Sequence, residues 1–478
     1  MLMEIFHNTH SSFFLLFFFL SYLCAFSFSL SFSPIDNYLI DCGSAVDAII
    51  DNRRFVPDSF RSNSPLFSSS TRSVQLNGPG SSLPQIYNSA RVFDRPSKYV
   101  FKIRDQGTHM VRLHFHQLNS SEIDFADVKF HVLVNGYVVL SNFSGGHNLL
   151  SPRVKEYLIF VHDEQLVIKF LPARKSKLAF VNAIEVISAP KDLILDTAQF
   201  VNWDKIEKFD GLSRQALEVM HRVNVGGSKV TPFNDTLWRT WLPDDEFLKS
   251  GDGLKRVYFS GRIRYQRGGP SREVGPDNVY NTARVIVSTN ASIPNLNMTW
   301  EFPVVENYKY LVRLHFCDIA SISVGLLFFN VYVNGNLAYK DLDLSYLTAY
   351  TLASPFYMDF VVDVDHSGVL SVSVGPSEKS LDHAVDGILN AVEIMKLNKS
   401  MGILDGEHCA GLILNSWPRG NTGILVPLVA AVCMILSLSA FMHKRRNGVK
   451  NSMGWHKLPT DVPEMNPKHG NQHISVEM

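Results

Sequence analysis

Two histidines in one short segment are the first residues whose types and spacing could do chemistry. His114 and His116 lie at positions i and i+2 of VRLHFHQL. On a β-strand their side chains share a face, where imidazole nitrogens could hold a metal ion. A repeated copy of the segment carries Cys317 in place of His116, and no recognisable spacing supplies a third ligand. We therefore assign no metal and interpret both histidines as partly buried strand residues.

A second candidate is the segment 237–245, LWRTWLPDD, which combines two tryptophans, an arginine and two aspartates. The indole rings could stack on a sugar while the polar groups bind its hydroxyls. The same residues could instead form a contact between domains that contains an Arg–Asp ion pair. We favour the structural interpretation, because close-packed contacts are also rich in aromatic residues and arginine.

Signatures of catalysis are missing from the sequence, which contains no G-x-S-x-G, H-E-x-x-H, G-x-x-x-x-G-K-[ST] or G-x-G-x-x-G motif. Asp244, Asp245 and Glu246 are adjacent, so they do not establish the separated carboxylate pair of a glycosidase. The formal net charge is zero and 19% of the residues are charged, which gives no basic field for nucleic acid. We expect no enzyme activity, no cofactor and no nucleic-acid partner.

The elements that must position these residues begin with the two ends of the chain. Residues 13–20 form an unbroken apolar run, followed by sequence that contains Ser and Ala, so residues 1–33 are predicted to be a signal peptide. Glu4 is the only charged side chain before this run. A signal anchor or a buried helix is therefore the alternative interpretation.

A second apolar stretch, 423–442, contains no charged residue and is followed by Lys444, Arg445 and Arg446. Its length and the basic cluster predict a membrane-spanning helix with a cytoplasmic tail, 443–478. The expected location is the plasma membrane, in type I orientation with an extracellular ectodomain. Six N-x-S/T glycosylation sequons all precede the helix, as this topology requires; they are Asn119, Asn142, Asn234, Asn290, Asn297 and Asn398.

The cysteine count argues against a disulfide scaffold. Of five cysteines, Cys24 lies in the signal peptide and Cys433 lies in the spanning helix. The disulfide candidates that remain are Cys42, Cys317 and Cys409, and three residues can form at most one bridge within the chain.

An internal repeat sets the architecture, because VRLHFHQL (111–118) recurs as VRLHFCDI (312–319) and NAIEV (182–186) recurs as NAVEI (390–394). Each copy also holds an apolar run, an Asn-Gly pair and a second apolar run, the pattern of a β-hairpin. We predict an all-β fold of two tandem β-sandwich domains, 34–189 and 190–397, followed by a membrane-proximal stalk, 398–422. Since almost no linker separates the domains, we expect close packing and a ligand site between them.

With these motifs in hand, the sequence resembles the extracellular half of the plant malectin-like receptor kinases, the FERONIA, THESEUS and HERCULES group. The resemblance rests on LIDCGS (39–44), FVPD (55–58), both RLHF strands, NVGG (224–227), RTWLPDD (239–245) and VYNTAR (279–284). One departure is Asp41, where this family usually has Asn. The resemblance implies tandem malectin-like, jelly-roll-like domains at the cell surface.

The resemblance also implies partners: cell-wall polysaccharide, rapid alkalinisation factor peptides, a glycosylphosphatidylinositol-anchored co-receptor and full-length receptor kinases of the family. Residues 454–459 look like the segment that precedes the kinase in this family, but the sequence after 442 has none of the kinase motifs. We expect a receptor-like binding protein without its own kinase. A truncated receptor kinase and a carbohydrate-active enzyme are the alternatives, and no ligand-binding residues are assigned.

Overall fold

The computed structural model describes residues 32–58, 66–67, 71–75, 82–118, 123–125, 128–144, 151–173, 176, 178–287, 297–364, 366–380, 385–416 and 422–450. Nearly all of the predicted signal peptide, most of the predicted tail, Asn119, Asn290 and Cys24 lie outside these residues. The chain divides into two compact units, with the division at residues 416 and 417.

The unit that ends at residue 416 is built almost entirely of β-strands. In its first half the strands are β1 (Asn37–Asp41), β2 (Ala48–Ile50), β3 (Arg53–Pro57), β4 (Leu66–Phe67), β5 (Thr71–Gln75), β6 (Ser89–Phe93), β7 (Ser97–Lys102), β8 (Gly107–Phe115), β9 (Lys129–Val134), β10 (Tyr137–Ser144), β11 (Arg153–Val161), β12 (Gln165–Pro172), β13 (Ala179–Val181) and β14 (Ala183–Ser188).

The second half of this unit repeats the pattern. Its strands are β15 (Thr197–Val201), β16 (Ile206–Asp210), β17 (Leu217–Asn224), β18 (Leu242–Pro243), β19 (Leu254–Tyr258), β20 (Thr282–Val287), β21 (Met298–Pro303), β22 (Lys309–Cys317), β23 (Phe328–Val333), β24 (Asn336–Asp343), β25 (Pro355–Asp363), β26 (Val369–Pro376), β27 (Val385–Leu389) and β28 (Ala391–Leu397). Short α-helices lie at Asp277–Tyr280, Leu344–Leu347 and Ala410–Ser416.

Two sandwich cores confirm the predicted fold class. In the first, Leu113 and Phe115 of β8 pack with apolar residues of the sheet β10-β9-β12-β7-β4. In the second, Leu314 and Phe316 of β22 pack with residues of the sheet β21-β26-β23-β24. The strands β8 and β22 are the two copies of the repeated motif, so the duplication in the sequence corresponds to two similar β-sandwiches.

The Asn-Gly pairs form the predicted hairpin turns. Asn135 and Gly136 join β9 to β10 with φ of 46° and 88°, and Asn334 and Gly335 join β23 to β24 with φ of 51° and 75°. Both positions of such a turn need positive φ, which Asn and Gly adopt most easily.

One large sheet crosses from the first sandwich to the second. Its strand order is β16-β15-β25-β22-β28-β17-β11-β8-β14-β1-β3-β2, with β18 paired to β17. The crossing point is the antiparallel pairing of β11 with β17, where Tyr157 lies opposite Glu218 and Leu158 opposite Leu217. Beside this point an apolar cluster that includes Met110, Leu158 and Met395 covers the sheet face opposite the sandwich cores.

The predicted stalk differs from the structure at its start. Residues 400–406, which we call the strap, leave β28 of the second sandwich and pack on β10 of the first. Leu404 is fully buried in the first core, and its backbone N–H donates to Val138 O at 3.0 Å. Asp405 Oδ2 accepts from the Ser141 backbone N–H at 2.7 Å. The strap therefore belongs to the folded unit; the sequence did not reveal this, because burial of one leucine in a distant core leaves no periodic pattern.

The second unit contains the helix Thr422–Lys450. Within the described part of the chain this is the one helix long and apolar enough to cross a membrane, with a candidate span at 427–446. That span lies four residues beyond the predicted 423–442. The residues Lys444, Arg445 and Arg446 are at its end and are exposed.

Candidate functional site

The histidines of the repeated strands are held in the same way in both sandwiches. The Tyr87 hydroxyl lies 2.9 Å from His114 Nδ1, and His114 Nε2 lies 2.9 Å from Glu185 Oε1. In the second sandwich Tyr280, His315 and Glu393 repeat the arrangement at 2.9 and 3.2 Å. Both nitrogens of each ring are therefore occupied by protein partners. All six residues are buried, so the arrangement fixes the sheet rather than meeting a substrate.

At two positions of the repeated motifs only glycine fits, because another backbone segment lies too close for a Cβ atom. Gly43 has φ of 82°, and a Cβ there would lie 2.2 Å from Ala90 O; Gly226 has φ of 70°, and its Cβ would lie 2.3 Å from Ala283 O. Their backbone N–H groups donate to Asp58 at 2.9 Å and to Asp244 at 3.0 Å.

The aspartates that receive these N–H groups are themselves buried and paired. Arg91 donates through Nε and Nη2 to Asp58, and Arg284 donates in the same way to Asp244. The motifs LIDCGS, FVPD and NVGG therefore describe a buried clasp that occurs once in each sandwich.

A line of alternating charges crosses the junction of the two sandwiches. Its members lie on seven neighbouring strands and are opposite one another within β14–β8–β11 and within β17–β28–β22–β25; we call it the charge ladder: Glu185, Arg112, Glu156, Arg222, Glu393, Arg313 and Asp359. Glu156 accepts from Arg112 at 2.6 Å within the first sandwich and from Arg222 of the second at 2.7 Å. Where β11 meets β17, the junction between the sandwiches is thus filled by buried ion pairs.

The arginines of the charge ladder keep its buried glutamates ionised. Burial alone would raise the pKa of Glu156, but the guanidinium groups of Arg112 and Arg222 outweigh it and lower the pKa to about 2. At Glu393 the effect of Arg222 and His315 likewise exceeds that of burial and lowers the pKa. Glu156 and Glu393 are therefore ionised over the physiological range.

The LWRTWLPDD segment packs over this ladder, as the structural interpretation predicted. Trp241 is fully buried, and its Nε1 donates to Asp235 at 2.9 Å. Arg239 is buried and pairs with the same carboxylate. The aspartate of the expected Arg–Asp ion pair is therefore Asp235, which lies just before LWRTWLPDD. Arg53 of the first sandwich lies 4.4 Å from the centre of the Trp238 ring, which ties the segment to both sandwiches.

The other residues singled out in the sequence are distributed over the molecule. Asn142, Asn234 and Asn297 are exposed. Asn398 is half-buried, because its Oδ1 accepts from the Ala216 N–H at 2.7 Å. The three disulfide candidates are all free thiols: Cys42 lies in the first sandwich core, Cys317 lies beside Tyr280, and Cys409 is half-buried. No bridge forms among them, and burial raises the pKa of the Cys42 and Cys317 thiols.

Two grooves on the second sandwich are open enough to take a ligand. The larger, of about 800 Å³, lies between β15 and the start of β25 and is bordered by the loop 266–270. We call it the β25 groove. The smaller, of about 370 Å³, is bordered by Tyr258, Arg256, Asn278 and the sequon residue Asn234. We call it the Tyr258 groove. Sequence reasoning missed both, since each is assembled from segments far apart in the chain.

Residues 40–397 match the family description of the malectin-like domain. The probable receptor-like protein kinase At5g24010 of Arabidopsis thaliana is 45% identical to the chain over 436 residues, which are 90% of this chain and 52% of that protein. The chain belongs to the malectin-like family. It spans about half the length of the curated relatives it matches.

Solved structures place the malectin-like chain beside receptor ectodomains. The ANXUR1 extracellular domain from Arabidopsis thaliana is 28% identical, with a TM-score of 0.69, over 78% of this chain and 99% of that one. The receptor-like kinase FER, solved with the plant peptide RALF23 and with LLG2, is 30% identical, with a TM-score of 0.68, over 79% of this chain and 99% of that one. The resemblance to plant malectin-like receptor kinases is thereby confirmed.

Asp41 is the position where this malectin-like sequence departs from the usual Asn. The side chain is buried, its Oδ1 accepts from the Ser89 hydroxyl at 2.9 Å, and its Oδ2 has no hydrogen-bond partner. In the second sandwich the corresponding residue is Asn224, whose Nδ2 donates to Ser228 O at 2.8 Å. Burial raises the pKa of Asp41 to about 7, so the folded chain binds a proton here at pH values where an exposed aspartate is ionised. An asparagine would be neutral at every pH.

Proposed function

We propose that the malectin-like chain is a cell-surface, receptor-like binding protein that recognises a secreted peptide of the rapid alkalinisation factor type. The observation that carries this proposal is its likeness to FER, which was solved together with RALF23 and LLG2, over 99% of that chain. By the same likeness, a glycosylphosphatidylinositol-anchored protein is the proposed co-receptor, and full-length receptor kinases of the family are the proposed partners in the membrane.

The proposed topology is a single-pass type I protein of the plasma membrane with the ectodomain outside the cell. It is supported by the apolar helix Thr422–Lys450 and by the basic residues at the end of its candidate span. The exposed sequons Asn142, Asn234 and Asn297 all lie before that helix, on the side where glycosylation takes place.

A rigid frame supports a binding role. The charge ladder and the strap each join the two sandwiches through buried groups. A frame fixed in this way presents its surface grooves in a defined geometry before a ligand binds, and this preorganisation lowers the entropic cost of binding.

Recognition of cell-wall carbohydrate is the second candidate, favoured by the Tyr258 groove. The Tyr258 ring is 71% exposed beside this groove, whose other lining residues include Asn224, Asn281 and Lys229. An exposed aromatic face next to amide and ammonium donors can stack on a sugar ring and bind its hydroxyl or carboxylate oxygens.

Calorimetry on the full chain in detergent micelles tests both candidates side by side. The ligands are RALF23, with and without LLG2, and pectin fragments. We expect saturable binding of RALF23 to the unmodified chain and to Tyr258→Ala. Absence of RALF23 binding, with and without LLG2, would contradict the peptide proposal.

The carbohydrate candidate predicts that Tyr258→Ala weakens binding of pectin fragments while Tyr346→Ala does not. Tyr346 is an equally exposed tyrosine, at 71%, outside both grooves. Equal binding by the two variants would rule out the Tyr258 groove as the sugar site.

A further inference from the structure

The strand β25 is covered on one side and largely open on the other. On the first side it pairs with β22 over its whole length, from Lys309 opposite Asp363 to Cys317 opposite Pro355. On the second side it pairs with β15 at two positions only, Phe360 and Val361. Within the described ranges, no strand pairs with residues 355–359 on this second side. Half of their backbone N–H and C=O groups therefore face the β25 groove.

Of the features that usually protect a sheet edge, the open segment has a proline, Pro355, at its start, but its three central residues are uncharged. Exposed edge strands are normally shielded by charged side chains. The outermost strand of this sheet, β16, follows that rule with exposed Glu207 and Lys208. The open part of β25 instead carries the half-buried, uncharged residues Phe356, Tyr357 and Met358.

The shape of the groove restricts what can reach this edge. The first residues of β15, including Thr197 and Gln199, line the wall opposite β25, and the loop 266–270 lines the rim. An added strand would lie about 4.8 Å from β25, within a groove of about 800 Å³. A recess walled on both sides suits a single extended peptide better than the edge of another folded sheet.

The side chains of β25 alternate between its two faces, so an added strand would have different neighbours on each face. Phe356 and Met358 pack against the second sandwich core. Tyr357 lies on the other face, where its ring stacks on Arg313 at 4.3 Å and its hydroxyl donates to Asp192 O at 3.2 Å. At the rim, exposed Arg267 forms no ion pair with any described carboxylate, so an acidic peptide side chain would meet an available guanidinium there.

We propose that the β25 groove binds an extended peptide with an acidic side chain, which pairs with residues 355–359 as an added β-strand. The inference rests on the proposed peptide-binding function and specifies where and how the peptide binds. Main-chain hydrogen bonds to the strand edge supply affinity, and the alternating side-chain contacts supply specificity.

Gly269→Trp is the variant that tests this proposal. A Cβ at position 269 would lie 3.4 Å from Gln266 O and 3.9 Å from Pro355 O, so a side chain introduced there starts beside the Pro355 end of the open edge. Gly251→Trp is the matched control, because a Cβ there has no neighbour within 4 Å and the residue is outside the groove. Thermal midpoints of both variants should equal that of the unmodified chain.

The full chain in detergent micelles is used to select binders from a displayed library of random 12-residue peptides. We expect Gly269→Trp to weaken the selected peptides at least tenfold and Gly251→Trp to leave them unchanged. Bound peptide should also slow hydrogen exchange of the amides of residues 356–359. Recovery of no binders, or of binders that are equally tight on both variants, would overturn the proposal. So would a concentration-dependent dimer that Gly269→Trp abolishes, which would identify a second copy as the occupant.

RALF23, measured in parallel, separates this inference from the proposed function. If RALF23 does not bind but library peptides do so through the groove, the groove assignment stands and the ligand assignment fails. If RALF23 binds Gly269→Trp as tightly as the unmodified chain and exchange at residues 356–359 is unchanged, peptide recognition stands and the groove assignment fails.

Discussion

Arg222 on β17 donates to Glu156 on β11 at 2.7 Å, and this contact carries the charge ladder from one sandwich to the other. Glu156 is held between two guanidinium groups, since Arg112 donates to its second oxygen at 2.6 Å. Removal of the charge would leave both arginines buried with one partner fewer. The charge ladder therefore crosses between the sandwiches through one carboxylate, next to a second ion pair of β11 and β17, Lys155 with Glu218 at 2.7 Å.

Glu156→Gln should lower the free energy of unfolding by about 3 to 5 kcal/mol at neutral pH, the cost of breaking a buried pair. Calorimetric unfolding of the full chain checks this. The control is Glu301→Gln, which breaks an exposed 2.7 Å pair with Lys249 and should change the free energy by less than about 1 kcal/mol. Similar losses in the two variants would contradict a special role for the junction.

The pH dependence of that effect has a defined sign. The pKa of Glu156 in the folded chain, about 2, is below its unfolded value, so the stabilisation is complete above about pH 4.5 and is lost as pH falls toward 2. Glu156→Gln should lack this acid-dependent part of the unfolding free energy. Parallel acid profiles of the two proteins would contradict the assignment.

Asp41→Asn should act in the opposite pH range. The folded-state pKa of about 7 exceeds the unfolded value, so the free energy of unfolding falls as pH rises from about 4 to 7. The amide carries no charge, and the variant should be more stable at pH 8 by about 2 to 4 kcal/mol. Denaturant titrations at pH 5 and pH 8 check this, with exposed Asp252→Asn as the control. If the free energy of unfolding of Asp41→Asn still falls between pH 5 and pH 8, the pH dependence belongs to other groups.

Leu404→Ala should destabilise the first sandwich although residue 404 follows the second. The side chain is fully buried in the first core, and truncation of a buried leucine costs about 2 to 5 kcal/mol. Leu412→Ala, at a leucine that is 59% exposed, is the control. Hydrogen exchange should rise in β10 for Leu404→Ala only. Equal protection of β10 in both variants would show that the strap does not stabilise the first sandwich.

Replacement of Lys444, Arg445 and Arg446 by glutamine should disturb membrane orientation, because cytoplasmic basic residues next to a helix set its direction. Glycan occupancy at the exposed sequons Asn142, Asn234 and Asn297 reports the orientation. We expect a mixed, partly unglycosylated population, and full occupancy in a control with Lys205, Lys208 and Lys249 replaced. Unchanged occupancy and membrane retention in the first variant would show that the cluster does not determine topology.

Local features of the fold were predictable because they depend on neighbours in the chain. The alternation in VRLHFHQL placed Leu113 and Phe115 in the core and Arg112 and His114 on the opposite face, and the Asn-Gly pairs located two hairpin turns. The predicted domain bounds remain predictions.

The functional surfaces were not predictable, for a physical reason. The pairing of β11 with β17, the strap on β10 and the open edge of β25 each join segments separated by tens to hundreds of residues. The sequence marks the residue types at such contacts but not which ones meet, so the ion pairs where β11 meets β17 were not foreseen. The expected ligand site between the domains stays a prediction.

The strap also determines how tension would travel through the protein. A pull applied at residue 416 loads the helix Ala410–Ser416 and then residues 400–406, whose hydrogen bonds and buried leucine anchor them to β10, and it reaches β28 only after those contacts yield. The chain end of the second sandwich is thus mechanically shielded by the first. Release of the strap from β10 would therefore precede any loading of β28, the last strand of the second sandwich.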